Sequence, residues 1–301
     1  MISKKKSNGE MFLLTSAILE GLFPIIAHHS SQVFPPISFL TASSLIAAVI
    51  FFLYLLLSGQ FPQKIPKKAI LYSLGVAVFV MMTYTLIFVG TSMTSAINTS
   101  LILQAEVLFA FIVGSLVLNE RIKSEKILGA IFIVGGTTLV LFNGTVILNR
   151  GDLLILLATM IFPIGNTFAK KAMTLISNST LLFLRYTFGS VLLIAASFLF
   201  EGDRLLAADF PVEKLWLIPT YAVLILVSSK VCWYMGLKTH SIGRSTSIII
   251  SAPAFSLLFA YFLLGEIPTI YQISGFMLTI IGITVLARLL PLPWRHTHHL
   301  V

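Results

Sequence analysis

The sequence predicts an all-α polytopic membrane protein of ten transmembrane helices, arranged as two inverted five-helix repeats. Three observations carry this expectation. The composition is too apolar for a water-exposed surface, the chain divides into ten apolar runs of spanning length, and it repeats itself at a spacing of 146 residues. Of its 301 residues 57% are apolar and 10% charged, and the mean hydropathy is +0.99. A soluble domain carries about 25% charged residues. Cys232 is the single cysteine, so there is no intrachain disulfide framework, and it reads as a small buried apolar residue.

A spanning helix needs about 20 mostly apolar residues. The first run, 10–29, follows MISKKK; it is too long for a signal peptide and lacks a clear small-x-small cleavage site. The second, 36–58, opens after SSQVFPP, and the third, 69–90, after SGQFPQKIPKK. Runs four and five, 93–118 and 126–145, end at FNG, and run six, 151–170, opens the second half. Run seven, 178–200, is followed by EGDRLLAADFPVE, which is too short to fold alone. Runs eight to ten are 214–237, 243–264 and 268–289, the last two parted by GEIP. Pro, Gly and Ser punctuate these links as turn formers do.

Basic residues predict the orientation. With the N-terminus inside, the inner segments receive Lys4, Lys5, Lys6, Lys64, Lys67, Lys68, Arg121, Lys123, Lys126, Lys170, Lys171, Lys238, Arg288 and Arg295, and the outer ones only Arg150, Arg204 and Lys214. This positive-inside bias predicts a cell (inner) membrane protein with both termini cytoplasmic. It also accounts for the net charge of +9 as contact with the lipid bilayer, so no nucleic-acid partner is expected.

The stretch GTSMTSAINTSLILQAEVLFAFIVGSLVLNERIKSEKILGAIFIVGG aligns without a gap on GLKTHSIGRSTSIIISAPAFSLLFAYFLLGEIPTIYQISGFMLTIIG. Gly90 meets Gly236, Ser95 Ser241, Phe109 Phe255, Leu118 Leu264, Glu120 Glu266, Gly129 Gly275 and Gly136 Gly282. Residues 1–147 and 148–301 therefore form two halves of five helices. An odd number of spans per half inverts one against the other, as in many secondary transporters. Glu120 and Glu266 end matched helices and are expected to cap or tie the helix that follows each. Gly129, Gly136, Gly275 and Gly282 are expected to let helices approach closely, within or between halves or in a homodimer.

The segment SAPAFSLLFAYFLLGEIPTIYQISGFMLTIIGITVLA, with Pro253, Leu-Gly-Glu at 264–266 and spaced Gly275 and Gly282, resembles the EamA-type signature of the drug/metabolite transporter superfamily. AEVLFAFIVGSLVLNERI (105–122) resembles its first-half copy, and CWYMGLKTHSIGRSTS the connection before the signature. The resemblance covers nearly the whole chain and implies a carrier of small metabolites, very often an exporter, with a cavity lined from both halves. The chain departs from the pattern where first-half copies often carry Glu-Pro, having Glu106-Val107. The family's early arginine is present in the second half as Arg185 in FLRYTFG, with Thr41 at the first-half position.

Of the ionisable residues inside the runs, five are singled out: Glu20, Glu106, Arg185, Lys230 and Arg244. Each costs about 2.5–3.5 kcal/mol at a bilayer centre on insertion scales, which makes it a functional candidate. At about 1.5 Å rise per residue, Glu106 lies about 21 Å from Glu120, and Glu20 about 15 Å from Glu10. Arg185 and Lys230 lie about 10 Å from an inner end, within snorkelling reach. Arg244 begins its helix and is expected to be solvated. The expected substrate-binding set is Glu106, Glu20, Lys230, Arg185, Tyr84 (the repeat mate of Lys230), Trp233, Tyr234, Gln104 and Asn98. Gly21 and Pro24 beside Glu20 predict a locally opened helix.

No Walker A, phosphate loop, zinc-binding pair or nucleophile elbow is present, so the expectation is a gradient-driven carrier, not an enzyme, with no cofactor and no metal. His28 and His29 sit near the outer face, and the tail histidines His296, His298 and His299 are read as solvated. Glu106, with Glu20, would bind a proton or the cationic part of a small-molecule substrate, and Lys230 or Arg185 an anionic group, which suggests a zwitterion such as an amino acid. Two other classes stay open. One is a membrane enzyme acting on lipid-linked substrates at the acidic loop of Glu201, Asp203, Asp209 and Glu213, near Asp152. The other is a passive facilitator.

Overall fold

The computed structural model describes residues 2–118, 124–142, 144, 149–207, 212–237, 245 and 248–286. Glu120, Ser241, Arg244, Asp209, His296, His298, His299 and the basic residues Arg121, Lys123, Lys238, Arg288 and Arg295 lie outside them, as do the side chains of Asp203 and Arg204.

The chain runs α1 (Ile2–Ser31), α2 (Pro36–Leu57), α3 (Lys67–Thr91), α4 (Ala96–Leu103), α5 (Glu106–Leu118), α6 (Ser124–Phe142), α7 (Arg150–Met173) and α8 (Asn178–Ala207). After a 3-10 turn at Val212–Lys214 come α9 (Leu217–Tyr221), a π-helical stretch Ala222–Ser229 and α10 (Lys230–Leu237). Then α11 (Ala252–Phe259) passes into a second π stretch, Ala260–Leu264, and α12 (Ile270–Leu286) follows. Among the described residues seven helices are long and apolar enough to cross a membrane, and three shorter apolar ones, Lys126–Phe142, Ala252–Leu264 and Ile270–Leu286, bring the total to ten. Each of the ten sequence runs holds one of them. Large apolar side chains cover the outside: Leu57 is 83% exposed and Leu199 78%. In water such a surface would aggregate, whereas in lipid it is the solvated face.

Local chemistry sets the helix ends. Pro36 starts α2, where its missing N–H is no loss. Ser95 caps α4 through Asn98 N (3.0 Å), and Asn149 caps α7 through Gly151 N (2.7 Å). Thr269 and Gln272 form a capping box on α12, with Thr269 N donating to Gln272 Oε1 (2.8 Å) and Gln272 N to Thr269 Oγ1 (3.3 Å). Gly265, at φ 69°, adopts the left-handed turn that ends the preceding helix.

The halves interlock. α2 packs on α8, α6 on α12, α3 on α7, α1 on α10 and α11, and α5 on α7. α6 and α12 run antiparallel, and small residues set their approach. A Cβ on Gly129 would lie 2.8 Å from Gly282 O, and one on Gly275 2.6 Å from Gly136 O. Backbone cannot move aside as a side chain can. Gly136→Val is expected to destabilise the detergent-purified protein by at least about 1–3 kcal/mol. Gly202→Ala, where a new Cβ meets nothing within 4 Å, is expected to leave thermal unfolding unchanged or raised.

The fourth span is not one helix. At Gln104–Ala105 the chain tightens into a turn, with Ala105 N donating to Ile102 O (2.9 Å) and Leu108 N to Ala105 O (3.0 Å), before α5 begins at Glu106. The ninth span shows the same bonds 146 residues later: Ser251 N to Ile248 O (3.0 Å) and Ala254 N to Ser251 O (3.0 Å), before Pro253 in the first turn of α11. The breaks therefore share one repeat position, although only the second half has a proline there.

Candidate functional site

The two breaks converge on the middle of α1. A Cβ on Gly21 would lie 2.7 Å from Phe255 Cβ and 2.9 Å from Ala252 O, so α1 touches the second-half break at Gly21. One residue earlier, Glu20 is among the charges acting on Glu106, which opens the first-half break; the other is Lys230. Glu106 stands in the first turn of α5, at the positive end of its dipole.

Glu20 and Lys230 are committed to each other. Lys230 Nζ donates to Glu20 Oε1 at 2.5 Å, and Ser229 Oγ donates to the same oxygen at 2.6 Å. Ser16 Oγ donates to Ser229 O (3.1 Å), so α1 is tied to the end of the π stretch. π-helical insertions are frequent at functional sites. Glu106, half-buried, makes no hydrogen bond or ion pair among the described residues.

Arg185 does not snorkel. It is 9% exposed, and its guanidinium carbon lies 5.5 Å from the Tyr84 ring centroid and 5.0 Å from that of Tyr186. The rings supply a cation–π cradle from α3 and from α8 itself. Tyr186 is fully buried and its hydroxyl donates to Leu226 O (3.0 Å). Glu20 and Lys230 are thus joined with Ser229, and Arg185 with Tyr84 and Tyr186, in a neighbourhood where Phe23 links Tyr84 to Tyr221; Tyr234 is half-buried on α10. Trp233 is half-buried on α10. Gln104, at the break, turns its amide back to Ser100 O (3.5 Å).

Asn98 lies apart, in a buried network at one end of the bundle. Its amide donates to Asp152 Oδ2 (2.9 Å) and its carbonyl accepts from Gln272 Nε2 (2.7 Å), while Thr94 Oγ1 donates to Asp152 Oδ1 (2.5 Å). The same end carries two carboxylate caps across the halves. Glu266 accepts from Ala96 N and Ile97 N (both 2.9 Å), and Glu201 from Ile37 N and Ser38 N (both 2.8 Å). Glu266 therefore caps α4 of the other half, not α12, which caps itself. Glu201, 6% exposed, is a buried tie within α8 instead of a member of a solvated loop, and Asp152 pairs with α4, away from it. His28 donates from Nδ1 to Thr91 O (3.1 Å). Glu266→Ala leaves two helix-end N–H groups without acceptors, and is expected to lower stability by about 1–2 kcal/mol in thermal unfolding.

The comparisons with known proteins agree in kind. The model of the EamA-like transporter family matches residues 7–142 and 149–288. An uncharacterized transporter, YyaM, of Bacillus subtilis (strain 168) is 24% identical over 97% of this chain and 98% of its own. A probable amino-acid metabolite efflux pump of Salmonella typhimurium (strain LT2) is 28% identical over 62% of this chain and 65% of its own. A solved crystal structure superposes with TM-score 0.66 at 16% identity, covering 94% of this chain and 97% of the other, a likeness of fold alone.

Proposed function

The chain belongs to the EamA-like transporter family, and on that premise we propose that this multi-pass membrane transporter is a secondary-active carrier. In this reading it exports a small organic metabolite, such as an amino acid, by alternating access between two inverted halves, residues 1–147 and 148–301. The setting is the cell membrane, with both termini cytoplasmic. The efflux-pump relative supports the substrate class, and the basic-residue bias supports the orientation. Support for the inversion comes from α6 and α12, repeat mates that pack antiparallel with Gly129 on Gly282 and Gly136 on Gly275. Matched breaks at Gln104–Ala105 and Ile250–Ser251 support a site between the halves, since discontinuous helices flank substrate sites in such carriers.

The observation that carries the mechanism is Glu106: a carboxylate deep in a span with no partner among the described residues, beside an ion pair that already uses Glu20 and Lys230. Leaving a carboxylate unpaired in lipid is costly, so Glu106 is held for a ligand, either a proton or a cationic group of the substrate. Alternation then moves that ligand across. The Glu20–Lys230 pair joins the halves through α1 and α10 and keeps their charges silent. Counterflow in proteoliposomes tests this reading against a passive facilitator: a carrier shows trans-stimulation of a labelled amino acid, and a channel does not.

A further inference from the structure

Arg185 presents two of its donors to nothing. Nε and Nη2 are buried and have no hydrogen-bond partner among the described residues, and the hydroxyl of Tyr221 is in the same state. Tyr221 is fully buried, packed on Phe23, Phe39 and Phe88 with ring centroids 6.2, 5.6 and 5.3 Å away, and Phe23 in turn meets edge-on, at 5.9 Å, the Tyr84 ring that Arg185 covers. The other buried cation of the neighbourhood is accounted for, since Lys230 is taken by Glu20, and no carboxylate lies within 4 Å of Arg185 among the described residues. A buried cation with no anion costs several kcal/mol. The tyrosines ease that cost without using Nε or Nη2.

Which donors are free identifies the missing anion. Nε–H and the neighbouring Nη2–H point the same way from one edge of the guanidinium, the edge that grips a carboxylate through two parallel bonds. We propose that the unpartnered edge of Arg185, with the Tyr221 hydroxyl as third donor, is the subsite for the carboxylate of the transported solute. Lys230 is excluded from that role by its bond to Glu20. Among the described residues this leaves the Glu106 carboxylate and the Nε/Nη2 edge of Arg185 without partners. The site therefore selects solutes that carry a carboxylate together with a cationic group, and rejects the corresponding amines and amides. In the conformation seen here the donors are covered, so the carboxylate reaches them as the halves part. This proposal rests on the carrier reading above.

The test uses the full-length protein in detergent and in proteoliposomes. Thermal unfolding is followed with L-leucine and L-phenylalanine, with their amides, which keep the ammonium and lose the carboxylate charge, and with inorganic phosphate. The amino acids are expected to stabilise the wild type and the amides to do so at least about tenfold more weakly, since hydrogen bonds to a charged group are being lost. Tyr221→Phe keeps the packed ring and is expected to fold normally while weakening the amino acids about tenfold and leaving the amides unchanged; Arg185→Gln is expected to remove the discrimination. The proposal is overturned if no amino acid stabilises the wild type, if amides or phosphate match the amino acids, or if both variants keep the preference. Counterflow separates the two ideas. Wild-type trans-stimulation that persists undiminished in Arg185→Gln sinks the subsite and leaves the carrier standing, whereas absence of trans-stimulation in the wild type sinks the carrier.

Discussion

Glu106→Gln is expected to abolish gradient-driven transport in proteoliposomes, by tenfold or more, while leaving the protein folded. The glutamine keeps the shape of the side chain and stands in for the protonated acid, and Glu106 has no hydrogen bond or ion pair among the described residues for the change to break. If the carboxylate takes up a proton in each cycle, the variant loses the response to an imposed pH gradient and its rate becomes flat in pH. If it holds the ammonium of the substrate, affinity falls and the residual pH response persists. The two outcomes divide the proton role from the substrate role. Wild-type rates with unchanged pH dependence would remove Glu106 from the mechanism.

The second large effect is expected at Lys230. Lys230→Met strands Glu20, whose oxygen then keeps only the Ser229 hydroxyl. Breaking a fully buried pair costs about 3–5 kcal/mol. Here 21% of the lysine side chain and 26% of the glutamate side chain are exposed, so roughly 2–3 kcal/mol is expected after that discount. The double variant Glu20→Gln with Lys230→Met should recover most of the lost stability, because neither charge is then left alone, and thermal unfolding measures both. Stability restored without transport would show that the pair works in the cycle as well as in the fold. A single variant as stable as the wild type would contradict the tie between α1 and α10.

Much of the architecture was legible in the residues. The ten apolar runs hold the ten helices because lipid demands long uninterrupted stretches. The 146-residue register holds in the backbone, with helix starts at Glu106 and Ala252 and again at Ser124 and Ile270. Glycine spacing announced a close helix approach, because only residues without side chains permit it, but not that the partners would be α6 and α12. The break before Glu106 was not legible, since no proline marks it; Pro253 in the matched helix was the available hint. Depth arithmetic placed Arg185 within reach of the inner surface, yet it could not see that Tyr84 and Tyr186 would fold around it. Tyr221 was missed for a similar reason, as an aromatic in an apolar run reads as packing. Glu201 and Asp152 looked like loop acids because they sit at the ends of runs. Their caps and partners come from helices far away in sequence, which no local pattern reports.

The central claim is that the two halves cross the membrane in opposite senses. Labelling with a membrane-impermeant maleimide tests it most directly, using single cysteines at Ser124 and Ile270 in a Cys232→Ser background. These residues open α6 and α12 and occupy the same position of the repeat. Inversion predicts that in intact cells Ile270→Cys is labelled from outside and Ser124→Cys only after permeabilisation. Labelling of both from the same side would contradict it.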